Sequence, residues 1–303
     1  MENFNDIQKQ IRQLKKEKGA LILAHYYVPM DVQDIADHVC DSFEMAKRAK
    51  EAKENLIIIC GVRFMGESAK ILSPEKKVLI PAEDAGCPMA DMVTPDDVRR
   101  LKAEHPGAAV MCYVNSSAAV KAECDICCTS SSALRIAKSL DAEEIIFVPD
   151  IHLGEYTAGK VPEKKFIFHT GFCPTHHRIT EANILAAKKA HPDAKFAVHP
   201  ECRADVLKHA DFVGSTSEII NFARETDAGE VLIGTEMEIA ARLQRELPDK
   251  KFYSVTSAFV CPNMKKVTLQ AVLNCLQNGE YEIRLDKDEA DAARQSLDRM
   301  VSC

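Results

Sequence analysis

Residues 162–174 read Pro-Glu-Lys-Lys-Phe-Ile-Phe-His-Thr-Gly-Phe-Cys-Pro, and two other stretches follow the same plan. Residues 74–88 run from Pro74-Glu75-Lys76-Lys77 through Val78-Leu79-Ile80 to Cys87-Pro88, and residues 248–262 from Pro248-Asp249-Lys250-Lys251 through Phe252-Tyr253-Ser254-Val255 to Cys261-Pro262. The charged motifs are spaced by 88 and 86 residues (162 − 74; 248 − 162), and the cysteines by 86 and 88 (173 − 87; 261 − 173). With 12 Cys and 13 Pro in 303 residues, chance order would supply roughly 0.5 Cys-Pro pairs. The chain has three, and these are all of them. A repeated unit closed around an axis would bring the three sulfurs to one point, where three thiolates can hold a metal centre.

The repeat extends beyond these stretches. His105-Pro106 and His191-Pro192 each precede a strand-like run, Ala108-Ala109-Val110-Met111 and Phe196-Ala197-Val198, and Gly19-Ala20-Leu21-Ile22-Leu23 fills the same slot near the N-terminus. Self-similarity at a fixed period of about 87 residues implies one structural unit used three times. The expected units are 1–90, 91–178 and 179–264, followed by a C-terminal helical extension over 265–303.

Composition fits a compact enzyme-sized body. Hydrophobic residues make up 46% of the chain, enough to fill the cores, and no Gly, Ser or Pro-rich linker separates the copies. Met1 to Lys18 is charged throughout and lacks the apolar stretch of a signal peptide, and no run approaches the ~18 apolar residues of a membrane span. The expectation is a cytoplasmic protein with no membrane partner. A formal charge of −7 disfavours nucleic acid as a partner. Twelve cysteines in a reducing compartment point to thiols and metal ligands rather than disulfides.

Short apolar runs alternate with amphipathic ones. The second copy predicts a helix over Pro95–Glu104, a strand ending at Cys112, a helix from about Ser117 and a strand over Asp125–Cys128. A helix over Ser131–Leu140, a strand over Ile145–Val148, a helix after Leu153 and a strand over Lys165–His169 follow. Continuously apolar strands indicate parallel sheets covered on both faces. The fold class is therefore α/β, with three pseudo-threefold-related αβα domains built on small parallel sheets around a central metal centre. Ligands of such sheets collect beyond the C-terminal strand ends.

The offsets align polar residues at those ends. His25 maps to Tyr113 (25 + 88) and His199 (113 + 86), Tyr27 to Asn115 and Glu201, and Ser42 to Ser130 and Thr216. Ser and Thr are good helix N-caps, so the third set has a plain structural reading. Three helix N-termini directed at one axis would also make an anion site, suited to carboxylates or a phosphate.

The widely separated thiols do not suit a zinc finger or ribbon, which uses short-spaced ligands. Cysteine thiolates and Cys-Pro motifs are typical of iron-sulfur clusters. Three ligands to a four-iron cluster leave one iron open as a Lewis acid, able to help a hydroxyl group depart. Cys124, Cys127 and Cys128 form a competing group with C-x-x-C spacing, but no second pair follows and the segment reads as a buried strand, where Cys packs as a small apolar residue. His176, three residues after Cys173, is a candidate to orient substrate or to donate to sulfur; His177 reads equally well as a solvated loop residue.

Taken in order, His25-Tyr26-Tyr27, Asp41-Ser42, Cys87-Pro88-Met89-Ala90, Tyr113-Val114-Asn115-Ser116, Cys128-Thr129-Ser130 and Gly154-Glu155-Tyr156 form a distinctive set. It continues through Cys173-Pro174-Thr175-His176, His199-Pro200-Glu201-Cys202, Val213-Gly214-Ser215-Thr216, Gly234-Thr235-Glu236 and Cys261-Pro262-Asn263-Met264-Lys265-Lys266. This ordered set resembles the A-type quinolinate synthase family of de novo NAD biosynthesis, over about residues 5 to 285. The cysteine motif that some relatives carry at the C-terminus is reduced here to Cys303.

The resemblance implies a pseudo-threefold trimer of α/β domains around one [4Fe-4S] cluster bound by Cys87, Cys173 and Cys261, loaded by iron-sulfur assembly machinery. It implies a transferase-type condensation of iminoaspartate (iminosuccinate), itself supplied by an L-aspartate oxidase or dehydrogenase, with dihydroxyacetone phosphate, losing phosphate and two waters to give quinolinate. His25, Ser42, Tyr113, Asn115, Ser130, His199, Glu201 and Thr216 are the implied substrate contacts, joined by His176. Glu201 is the expected general base, and Tyr27 and Tyr113 the expected proton donors or orienters. An iron-sulfur hydro-lyase acting on another polycarboxylate, or an iron-sulfur sensor, remain the alternatives. Tyr26 to Met30 offers itself as a lid.

Overall fold

The computed structural model describes residues 4–303; residues 1–3, at the head of the first expected unit, lie outside the described residues. Its twelve named strands are β1 (Ala20–His25), β2 (His38–Cys40), β3 (Leu56–Cys60), β4 (Lys77–Leu79), β5 (Ala109–Tyr113), β6 (Ile126–Cys128), β7 (Glu144–Val148), β8 (Lys165–Phe168), β9 (Lys195–Val198), β10 (Phe212–Val213), β11 (Glu230–Gly234) and β12 (Lys251–Ser254). They form three four-stranded sheets with orders β2-β1-β3-β4, β6-β5-β7-β8 and β10-β9-β11-β12. Every named pair is parallel, and equivalent residues pair in all three: Leu21 with Ile57, Ala109 with Ile145, Lys195 with Val231. Helices flank each sheet, so the α/β expectation and the threefold repetition both hold.

Three repeated polar residues explain why equivalent sequences fold alike. Asp37, Asp125 and Asp211 (37 + 88; 125 + 86) lie just before or at the edge of the second strand of each unit, and each carboxylate accepts the backbone N–H of the first strand: Ile22 at 2.8 Å, Val110 at 2.7 Å, Phe196 at 2.8 Å. These bonds fix where the second strand joins the first. The first Lys of each charged motif folds inward. Lys76 Nζ donates to Ala52 O, Lys164 Nζ to Leu140 O and to Ala142 O at 2.9 Å, and Lys250 Nζ to Ala223 O at 3.2 Å. A cation thus satisfies carbonyls left bare at or beyond a helix C-terminus. Thr94, Thr180 and Thr268 begin the next helices, and Thr94 and Thr180 close capping boxes.

Element ends differ by a residue or two from the sequence reading. The helix expected after Leu153 is Ile151–Ala158, capped by Asp150, and the helix expected over Ser131–Leu140 is Ala133–Ser139. Asp125 stays outside its strand because its carboxylate turns back to Val110.

The first two sheets and the C-terminal segment share one apolar core, whereas the two faces of the third sheet have separate cores around Phe196 and Leu232 and around Val231 and Ile233. Helix Lys287–Ser302 buries Ala293, Leu297 and Met300 against β6 and helices Ala118–Ala122 and Arg63–Leu72, so the tail spans the first two units. Helix Leu269–Asn278 packs on the N-terminal helix Phe4–Lys18. Among the described residues no helix is long and apolar enough to cross a membrane.

Candidate functional site

The C-terminal strand ends of all three sheets open on one cavity of about 130 Å³. Cys87, Cys173 and Cys261 line it, as do His25, Tyr27, Ser42, Tyr113, Asn115, Ser130, His176, His199, Glu201 and Thr216. Every site residue expected from the sequence therefore faces the same space. Cys124, Cys127 and Cys128 do not: they are buried around β6, where Cys127 approaches Ser296 Oγ at 3.3 Å. His177 also lies outside, half-buried, with its Nδ1 2.8 Å from His152 Nε2.

The three cysteines share a local design. Each precedes a proline and a tight turn whose backbone N–H groups point back at the sulfur: Met89 and Ala90 for Cys87, His176 for Cys173, Asn263 and Met264 for Cys261. Burial pushes all three thiols up, Cys87 to about 12, with Cys261 adding to Cys87 and Cys87 adding to Cys173 by like-charge repulsion. Sulfurs that repel one another as thiolates, yet are surrounded by amide donors, suit a shared cation. Cys173 Sγ, an imidazole nitrogen of His176 and a carboxylate oxygen of Glu201 also lie within 4.8 Å of one another.

Beside the sulfurs a hydrogen-bond chain crosses the cavity. Tyr113 OH donates to Glu201 Oε1 at 2.6 Å, and Glu201 Oε2 lies 2.8 Å from His176 Nδ1. His176 Nδ1 is also 3.2 Å from Cys173 Sγ, and its Nε2 is 3.0 Å from Thr235 Oγ1. Thr235 Oγ1 continues to Tyr27 OH at 2.7 Å, and Tyr27 OH to Thr216 Oγ1 at 2.7 Å. Thr235 closes this chain; the sequence placed it in a motif but not among the expected site residues. Its repeat equivalents are Pro149 (235 − 86) and Gly61 (149 − 88), so the alignment that exposed the other positions is silent here.

His25 and His199 are built alike. Each Nδ1 accepts the backbone N–H two residues on, from Tyr27 at 3.2 Å and Glu201 at 3.3 Å. This leaves the proton of the neutral ring on Nε2; His199 Nε2 lies 3.2 Å from Ser130 Oγ. Burial lowers His25 to about 3 and His199 to about 4, so both are neutral donors near pH 7. Burial raises Tyr27 and Tyr113 well above their ordinary value, with Glu201 adding to each, which keeps both phenols protonated. Burial opposes the Glu201 carboxylate, but His176, His199 and the hydrogen bonds from His176 and Tyr113 outweigh it and hold its pKa below the usual range. Because His199 is itself neutral, His176 and Tyr113 are the donors that matter for this carboxylate near pH 7.

The Ser and Thr set is not made of caps. Asp41 and Ser215 cap helices Ser42–Glu51 and Thr216–Glu225, and the equivalent Thr129 accepts the N–H of Ala133 through its carbonyl at 2.8 Å. Ser42 and Thr216 follow their caps by one residue, and Ser130 lies two residues before Ser132, the cap of helix Ala133–Ser139, so none of the three hydroxyls has the capping role. Asn115 Oδ1 is buried without a hydrogen-bond partner, an arrangement that a bound donor would relieve. Arg178, unremarked in the sequence, lines the mouth and brings a cation. The offered lid is tied down: Gln33 Nε2 donates to Tyr26 O and Val28 O, both at 2.9 Å, and Tyr26 turns away to Arg242, 5.3 Å from its ring.

Comparison with known proteins gives one consistent result. A family model described as "Quinolinate synthetase A protein" matches residues 9–302. The chain is 50% identical over 299 residues to a quinolinate synthase of Caldicellulosiruptor saccharolyticus, covering 99% of each chain. It is 50% identical over 296 residues to quinolinate synthase 2 of Methanosarcina acetivorans, covering 98% of this chain and 95% of that one. It is 47% identical over 305 residues to a quinolinate synthase of Aquifex aeolicus, covering 99% of this chain and 95% of that one.

Proposed function

The chain belongs to the quinolinate synthase family, and from that premise we propose that it condenses iminoaspartate with dihydroxyacetone phosphate, releasing phosphate and two waters to form quinolinate. The observation that carries this reading is the meeting of three Cys-Pro thiols, one from each unit, with the Tyr113–Glu201–His176 chain in a single small cavity. The unit boundaries proposed for this arrangement are 1–90, 91–178 and 179–264, with 265–303 as the extension.

Cys87, Cys173 and Cys261 are the proposed ligands of a [4Fe-4S] cluster. When bound, its open iron supplies a Lewis acid for the loss of a hydroxyl group. The remaining work falls to side chains. Substrate carboxylates and the phosphate meet the first N–H groups and hydroxyls of Ser42 and Thr216, the Ser130 hydroxyl, the Nε2–H groups of His25 and His199, and the Arg178 cation at the mouth. Asn115 Oδ1 accepts a substrate N–H or O–H.

Glu201 is the proposed general base. With Tyr113 and His176 both donating to it the carboxylate is ionised but weakly basic; a substrate that displaces either donor leaves burial to raise its basicity at the moment a proton must move. Tyr27 and Tyr113, held protonated, donate to oxygen as charge develops there. The buried walls formed by Phe64, Val62 and Met65 keep water from a reaction whose product is formed by dehydration.

The test is purification without oxygen, addition of iminoaspartate and dihydroxyacetone phosphate, and detection of quinolinate. Formation at turnover rates supports the assignment. An intact cluster without quinolinate would favour a hydro-lyase on another polycarboxylate, or a sensor.

A further inference from the structure

Asp150 and Glu236 occupy equivalent positions in the second and third units (150 + 86 = 236), and both are fully buried. Each reaches the backbone N–H of its own unit's Cys-Pro cysteine: Cys173 N donates to Asp150 Oδ2 at 3.1 Å, and Cys261 N to Glu236 Oε1 at 3.4 Å. The second oxygen of each takes the N–H of the helix that starts beside it, Leu153 at 2.7 Å and Glu238 at 2.9 Å. Lys265, four residues after Cys261, adds an ion pair to Glu236 at 2.8 Å and donates to Tyr27 O at 2.8 Å. Each carboxylate therefore ties a cysteine loop to the end of the third strand of its sheet.

The first unit lacks this device. The equivalent residue is Val62 (150 − 88), and the same two segments meet only through Arg63 N and Ala85 O at 2.8 Å. The Cys87 loop hangs instead from the end of the third unit and the start of the C-terminal extension, with Asn263 Nδ2 donating to Gly86 O at 2.8 Å and Lys266 Nζ to Asp84 O at 2.7 Å. A valine in the same fold position shows that a sheet of this kind closes without a carboxylate. Burying one is unfavourable unless its hydrogen bonds have a use.

We propose that Asp150 and Glu236 are positioning residues that hold Cys173 and Cys261 in ligating geometry in advance of the metal, leaving Cys87 to complete the set. The inference rests on the reading of these cysteines as metal ligands; the anchoring itself is measurable whether or not a cluster is present.

The test is hydrogen exchange by mass spectrometry with fragmentation to residue resolution, on the full chain as purified without oxygen and again after chelation, with iron per chain recorded in parallel. In the wild type the amides of Cys173 and Cys261 are expected to exchange at least about fivefold more slowly than that of Cys87, the factor for one ordinary hydrogen bond. Equal exchange overturns the proposal without any variant. In Asp150→Asn the amide keeps one acceptor oxygen, and Asn still caps a helix well, so the fold should survive while the Cys173 amide speeds up about fivefold and the Cys261 amide does not. Glu236→Gln should give the reverse. Both variants should lose iron to a chelator faster than wild type, and unchanged exchange at the cognate cysteine overturns the proposal. Absence of iron from the wild type would refute the cluster assignment, and the exchange measurement would still decide the anchoring.

Discussion

Two rims of the cavity treat the threefold repeat in opposite ways. At the cysteine rim the copies stay alike: Cys87, Cys173 and Cys261 each precede Pro and a turn of inward N–H groups. At the strand-end rim they diverge into His25, Tyr113 and His199, and into Tyr27, Asn115 and Glu201. On the proposed function, the difference follows from what each rim would hold. A metal centre on the axis looks the same from three sides, whereas two unlike reactants need a base, phenols and amide groups at particular places. Equivalent cysteines should therefore respond alike to substitution, and equivalent strand-end residues should not.

The largest effect tests the first half of that statement. Cys87→Ser, Cys173→Ser and Cys261→Ser should each abolish the iron-sulfur absorbance near ~400 nm and all turnover, whereas Cys124→Ser and Cys127→Ser should retain both. A clear ranking among the first three would break the symmetry. Next comes Glu201→Gln, expected to keep iron content and lower kcat by about 10²–10⁴. Its strand-end equivalents test the divergence: Asn115→Asp should act mainly through KM, since it changes a binding group.

Thr235→Val removes the hydroxyl that joins Tyr27 to His176 at nearly constant volume. It should cost kcat about fivefold, roughly the loss of one ordinary hydrogen bond, with Thr235→Ser restoring most of it; equal rates for Val and Ser would exclude the hydroxyl. The last effect is on stability against acid rather than on turnover. His25 and His199 are held neutral, at about 3 and about 4, while in the unfolded chain they protonate near their ordinary value. Stability from this source is complete above that ordinary value and falls as pH drops through the window, down to about 4 for His199 and about 3 for His25, by up to about 1.4 kcal/mol per pH unit for each ring. Thermal unfolding followed from pH 7 to 4.5 should show the decline, and His25→Gln should flatten it.

The repeat made most of this arrangement legible before any coordinates. Cys-Pro, the Pro-Glu-Lys-Lys motif and the polar strand ends all recur at fixed offsets, and periodicity in a parallel α/β unit predicts where strand ends converge. What escaped lies where the copies disagree. Thr235 aligns with proline and glycine, and the acidic pair Asp150 and Glu236 loses its third member to Val62, so no polar signal ran through all three copies at either position. The Ser and Thr set raised a capping reading because any of them can cap a helix; the caps are instead Asp41 and Ser215, each one residue earlier, and Ser132, two residues after Ser130. Asp37, Asp125 and Asp211 did repeat, but an acidic residue before or beside a short strand looks like ordinary turn chemistry until its carboxylate is seen on the neighbouring strand.

The central claim is that three copies of one unit give one thiolate each to a single centre. Iron and acid-labile sulfide, counted per chain after purification without oxygen, test it most directly. Roughly four of each in the wild type, falling sharply in any one of the three Cys-Pro variants and unchanged in Cys124→Ser, is the predicted result. Full iron and sulfide in a Cys87→Ser, Cys173→Ser or Cys261→Ser chain would contradict it.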